Sequence, residues 1–117
     1  MVINKTLIIP LKEESEEVLE ILSNFLEYLK EDTELIVVLD TKDDPTYKLL
    51  ENTNLKIQIL INKLEPGASN AINYGIKNSN GKHICIAMGD GSDDPRQVED
   101  LLLLVQRGLT VAVASRY

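Results

Sequence analysis

Asp90 stands between two glycines in the run Met88-Gly89-Asp90-Gly91-Ser92-Asp93-Asp94-Pro95. Glycine on either side lets the backbone turn tightly and brings that carboxylate close to a ligand. Magnesium and manganese prefer oxygen ligands, and Mg²⁺ typically takes one or two protein carboxylates together with substrate phosphates and water. Asp90 is therefore a candidate for holding Mg²⁺ or Mn²⁺ against a pyrophosphate. The same segment has a plainer reading as a solvated turn leading into a helix. Asp94 suits that reading, because an aspartate caps well and Pro95 fits the first helical position. Other acids gather at Glu13-Glu14 and from Asp40 to Asp44. The net charge of the 117-residue chain is −7, which argues against the basic patch that a nucleic-acid surface needs. A phosphorylated small molecule stays admissible if a divalent cation lies between it and the acids.

Short β-branched runs alternate with helical patterns along the chain, and these elements must position the acids. Strands are expected at Thr6–Ile9 (stopping at Pro10), Glu34–Leu39, Leu55–Ile61, His83–Met88 and Thr110–Ala114. A first helix from about Ser15 puts Val18, Leu22, Phe25 and Leu29 on one face. Glu16 and Glu17 in its first turn and Lys30 in its last suit the helix dipole. Further helices are expected at Thr46–Glu51, from about Gly67 to Lys77, and from Asp94 to near Gly108. Near-continuous apolar strands with helices between them predict an α/β fold, a mainly parallel sheet covered by helices on both faces. Right-handed crossovers predict the strand order 3-2-1-4, with the fifth strand beyond the fourth. No repeat or linker divides the chain, so residues 1–117 form one domain.

Ligands of such sheets bind at the carboxyl ends of the strands. There the sequence places Pro10–Glu14, Asp40–Asp44, Asn62–Gly67 and Gly89–Asp94. The turn Leu11-Lys12-Glu13-Glu14 has no glycine, which excludes a dinucleotide-binding turn and a P-loop. Asn62 and Ser115 stand where a phospho-acceptor receiver domain needs an aspartate and a lysine. His83 falls at a strand start, away from the ligand edge, and Tyr74 reads as a packing residue. Cys85 lies in an apolar run, with no partner for an internal disulfide, and reads as a reduced core residue of a cytosolic protein. Met1–Lys5 leads directly into a strand without a signal-peptide pattern. The longest apolar run, Leu101–Val105, is too short to span a bilayer.

Five segments in register carry a resemblance: Ile8-Ile9-Pro10 with Glu14; Glu34-Leu35-Ile36-Val37-Val38 with Asp40; Gly67 with Asn70-Ala71 and Gly75; Asp90 with Asp94-Pro95; and Ala114-Ser115-Arg116-Tyr117. Together they resemble the family 2 glycosyltransferases, and within them the dolichyl- or polyprenyl-phosphate sugar transferases. The resemblance implies a Rossmann-like fold of GT-A type, with only its donor-binding part present, and transfer of a sugar from a nucleoside-diphosphate sugar with inversion and divalent-metal assistance. Pro10 and Glu14 match the motif that frames the nucleoside. Asp40 matches an acid that contacts base or ribose, with Leu39 where a first aspartate usually stands. Gly67, Ser69 and Asn70 match the helix start near the diphosphate. Asp90 matches the second carboxylate of an Asp-x-Asp metal motif, whose first position is Met88 here, and Arg116 matches an arginine that meets phosphate or acceptor.

The implied partners are a UDP- or GDP-linked sugar and a polyprenyl-phosphate acceptor. The expected location is cytoplasmic, at the membrane face through further C-terminal regions, and self-association through an exposed sheet edge is a further expectation. The general base and acceptor elements are expected beyond Tyr117, so no catalytic residue is expected within the chain and the fragment alone should be inactive. The alternative is a non-catalytic nucleotide-binding or interaction module of the same fold, which Leu39 and Met88 favour.

Overall fold

The computed structural model describes residues 3–87 and, as backbone, 111–113. Its elements are β1 (Lys5–Pro10), α1 (Glu17–Tyr28), β2 (Thr33–Leu39), α2 (Pro45–Glu51), β3 (Gln58–Ile61), α3 (Ala68–Lys77), β4 (His83–Ile86) and β5 (Val111–Val113). The strands form one sheet in the order β3-β2-β1-β4-β5, and every pair is parallel. The expected α/β class and strand order hold.

Alternation along the strands decides which helix covers which face. Leu7, Ile9, Leu35, Val37, Leu39, Cys85 and Ala87 point to one side, where they pack with Val18, Leu22 and Phe25 of α1 and Leu50 of α2. Ile8, Ile36, Val38, Ile84 and Ile86 point to the other and meet Ala71 of α3, with Ile72, Tyr74 and Ile76 packed around them. With both faces covered, β1 and the stretch Leu35–Leu39 of β2 are buried throughout. Cys85 is fully buried and Tyr74 is a packing residue, as their sequence contexts indicate.

Three elements, β3, α1 and β4, have a boundary two or more residues from the sequence expectation. β3 begins at Gln58 rather than Leu55, because its ladder to β2 starts at the pair Ile36–Gln58. Leu55 and Ile57 are apolar because they pack on the core from a local turn, in which the Ile57 N–H donates to the Leu55 carbonyl at 2.9 Å. α1 starts at Glu17, with Glu16 as the residue before it, and ends at Tyr28. Leu29 is already extended (ψ 144°), so Lys30 lies outside the helix and its last turn carries no basic residue. β4 ends at Ile86, short of Met88. The expected fourth helix lies outside the described residues.

Candidate functional site

The parallel ladder runs past the strand ends and sets the loops of the carboxyl edge side by side. Leu11 N–H donates to the Val38 carbonyl (2.9 Å), Asn62 N–H to that of Leu39 (2.7 Å), and Ala87 N–H to that of Ile8 (3.0 Å). Pro10 closes β1 opposite Val38 and lies past the last β1–β4 pair, Ile8–Ile86, so its missing N–H removes no bond from that ladder. Gly75 lets α3 lie close against the sheet: a Cβ there would come within 2.9 Å of Ile8 Cγ2 and 3.2 Å of Val38 Cγ2. This close approach holds the start of α3 over the ends of β1 and β2.

A cavity of about 210 Å³ opens at this edge, lined by Pro10, Leu11, Lys12, Glu14, Asp40, Gly67, Ala68 and Ala71. Four sequence-predicted site residues, Pro10, Glu14, Asp40 and Gly67, thus come together from three separate loops. Ser69 and Asn70 lie in the first turn of α3 but do not line the cavity. Asp90, Arg116 and Met88 lie outside the described residues. A wider groove of about 540 Å³ lies elsewhere, lined by residues such as Leu29, Thr33 and Leu55. Thr33 begins β2, so this groove sits where the strands start, away from the edge at which such sheets bind ligands. The smaller cavity is the candidate site. His83 opens β4 beside Lys5, at the strand-start edge, as expected.

Two polar assemblies hold the cavity walls. On one side, Asp44 is buried and caps α2 through its Oδ1, which accepts from Thr46 N–H at 2.9 Å. The same carboxylate accepts from Glu13 N–H at 3.1 and 2.9 Å, and Thr46 Oγ1 accepts from Glu14 N–H at 2.8 Å. These bonds pin the loop after β1 and hold Glu13 at φ +50°, a left-handed conformation uncommon for a side-chain-bearing residue. Burial pushes the Asp44 carboxyl up, but the N–H groups of Glu13 and Thr46, with Lys12 nearby, outweigh it and hold the group below the usual carboxylate range. On the other side, Asp40 Oδ1 accepts from Asn62 Nδ2 at 2.9 Å and Oδ2 from Gly67 N–H at 3.2 Å.

Sequence reasoning passed over Lys12, Asp44, Thr46 and Asn62. A signal existed for Asp44: Asp44-Pro45 repeats the Asp-Pro capping pattern read at Asp94-Pro95. No local signal marks Asn62, whose role depends on the neighbouring strand.

Residues 6–117 match the model of glycosyl transferase family 2. The chain belongs to glycosyl transferase family 2. No curated protein matches it significantly. In this family 2 glycosyltransferase, no group of three or more His, Cys, Asp or Glu side chains among the described residues is arranged to hold a metal ion. Asp40 and Asp44 are each engaged by N–H donors. Among the described residues, no helix is long and apolar enough to cross a membrane.

Proposed function

We propose that the chain binds the nucleoside-diphosphate part of a sugar donor and forms the donor half of an inverting, metal-assisted transferase. The observation that carries the reading is the convergence of Pro10, Glu14, Asp40 and Gly67 on one cavity at the carboxyl edge. In this reading Pro10 and Leu11 supply an apolar wall for the nucleoside. Glu14 and Asp40 accept from its N–H or O–H groups. Gly67, Ser69 and Asn70 lie at the start of α3, where the N–H groups of Ser69 and Asn70 favour phosphate oxygens while Gly67 N–H stays on Asp40. Lys12 is a cationic group within the same lining.

Inversion follows when an acceptor oxygen attacks the anomeric carbon opposite the departing nucleoside diphosphate. When bound at Asp90, Mg²⁺ or Mn²⁺ neutralises the charge that collects on that diphosphate. The donor is UDP- or GDP-linked, the acceptor a lipid phosphate met at the cytoplasmic face of a membrane, and Arg116 the cation for either phosphate.

Calorimetric titration with UDP and GDP, in Mg²⁺ or Mn²⁺ and again in EDTA, tests the reading. Binding should require the cation, and Asp90→Ala should remove the cation-dependent part. No binding of either nucleotide overturns the proposal; binding that ignores both EDTA and Asp90→Ala removes the metal from it. A second reading, a nucleotide-binding module without turnover, is favoured by Leu39. This side chain is fully buried in the core where the family pattern has an acid. Binding of a nucleotide sugar without transfer to a polyprenyl phosphate would select that reading.

A further inference from the structure

Asn62 is 8 % exposed, and both polar atoms of its side chain are engaged. Nδ2 donates to Asp40 Oδ1 at 2.9 Å and to the Glu65 carbonyl at 3.1 Å, while Oδ1 accepts from Leu64 N–H at 2.9 Å. Its own backbone N–H is fixed on the Leu39 carbonyl at 2.7 Å. Asp40 continues the chain of contacts, since its second oxygen holds Gly67 N–H. The loop from Lys63 to Gly67 is therefore tied at Leu64, Glu65 and Gly67, and all three ties pass through the Asn62–Asp40 pair.

An ionised carboxylate offers about four lone-pair sites, and Asp40 uses one on each oxygen here. It can accept from a ligand without releasing Gly67. The loop is thus held in place before ligand arrives, and binding need not meet the entropic cost of ordering it.

We infer that Asn62 is a positioning residue of the donor cavity, acting through Asp40 to fix the Gly67 amide at the head of α3. Its contribution to donor binding rests on the reading of the cavity as a nucleoside-diphosphate site; the lock itself does not. Only a side chain that both donates and accepts can make these three bonds. Asn62→Asp keeps the acceptor for Leu64 but has no donor for Asp40 or Glu65.

The lock is tested without ligand, by NMR measurement of amide–solvent exchange in the wild type, Asn62→Ala and Asp40→Ala. Gly67 N–H is bonded to Asp40 and not to Asn62, so Asn62→Ala should speed its exchange only if the two act together. The expected change is up to about tenfold, the upper scale of one hydrogen bond, because the Gly67–Asp40 bond is itself exposed. Reciprocally, Asp40→Ala should speed exchange at Leu64, whose partner is Asn62. Unchanged exchange at Gly67 in a folded Asn62→Ala overturns the inference. Should that variant not fold, unchanged exchange at Leu64 in Asp40→Ala overturns it equally.

The second arm is a double-mutant cycle on UDP and GDP affinity. Asn62→Ala should weaken binding about tenfold in the wild-type background and leave it unchanged in the Asp40→Ala background. Equal losses in both backgrounds would refute action through Asp40. Absence of nucleotide binding by the wild type would refute the proposed function, and the exchange arm would still decide the lock.

Discussion

Gly67 adopts φ +130° and ψ 154° with nothing within 4 Å of where a Cβ would stand. Only glycine adopts this region readily, so Gly67→Ala should lose about 1–3 kcal/mol through backbone strain alone, without a steric clash. Urea denaturation measures this; stability equal to wild type would show that the head of α3 relaxes at no cost. Asp44 makes a prediction with a pH signature. Its folded value lies below its ordinary one, so its contribution is fully present above about pH 4 and is lost as pH falls through the folded value. Asp44→Asn should therefore be less stable by about 1–2 kcal/mol near neutrality, with the gap closing below about pH 4. Denaturation curves across that range read the gap directly, and a constant gap would show that the charge contributes nothing. Pro10, Glu14, Asp40 and Gly67, which the family resemblance singles out, can be placed from sequence because each stands at or just past a strand end, and they line one cavity. Asn62 is illegible there because its three hydrogen-bond partners come from a loop whose path the sequence does not print and from an aspartate 22 positions away.

Elements are legible where one physical cause dominates. The run Leu35–Leu39 is apolar because β2 is central and covered on both faces, and such a run has few other readings. At β3, two causes give the same composition: Leu55 and Ile57 are apolar for packing, Ile59 and Ile61 for packing and pairing together. Composition alone cannot separate them, and the ladder to β2 settles where pairing begins. The end of α1 departs from its expected place for a related reason. Leu29 keeps the helical apolar spacing and packs on the core, yet its backbone is extended. α3 is easier to read, since its small residues mark close packing. Gly75→Leu should force α3 away from Ile8 and Val38 and cost about 1–3 kcal/mol by overpacking. The same shift would carry Gly67 and Ala68 off the cavity, so nucleotide affinity should fall along with stability. A loss of stability with affinity intact would show that the cavity does not depend on the seat of α3.

Across the whole molecule the two ends of the sheet have different roles. Where the strands begin, polar groups are tied to one another. Lys5, 3 % exposed, pairs with Asp32 at 3.5 Å, and Glu34 accepts from Thr6 Oγ1 at 2.7 Å and Asn80 N–H at 2.6 Å. A hydrogen bond from Asn4 and the charge of Lys5 hold the Asp32 carboxyl below its ordinary value despite partial burial. Asp32→Ala leaves a buried ammonium without its partner and should cost roughly 2–3 kcal/mol, below the ~3–5 kcal/mol of a fully buried pair because Asp32 is itself partly exposed. Thermal or urea unfolding checks it, and a change under half that size would show that Lys5 finds water instead. Where the strands end, the short segment between β2 and α2 carries both Asp40 and Asp44, and these reach opposite walls of the cavity. The spacing of the two walls is therefore written into the length of one connection. A residue inserted or deleted between positions 40 and 44 would change the gauge of the cavity even with every side chain kept, so this stretch should tolerate substitution at Thr41, Lys42 and Asp43 far better than any change in length.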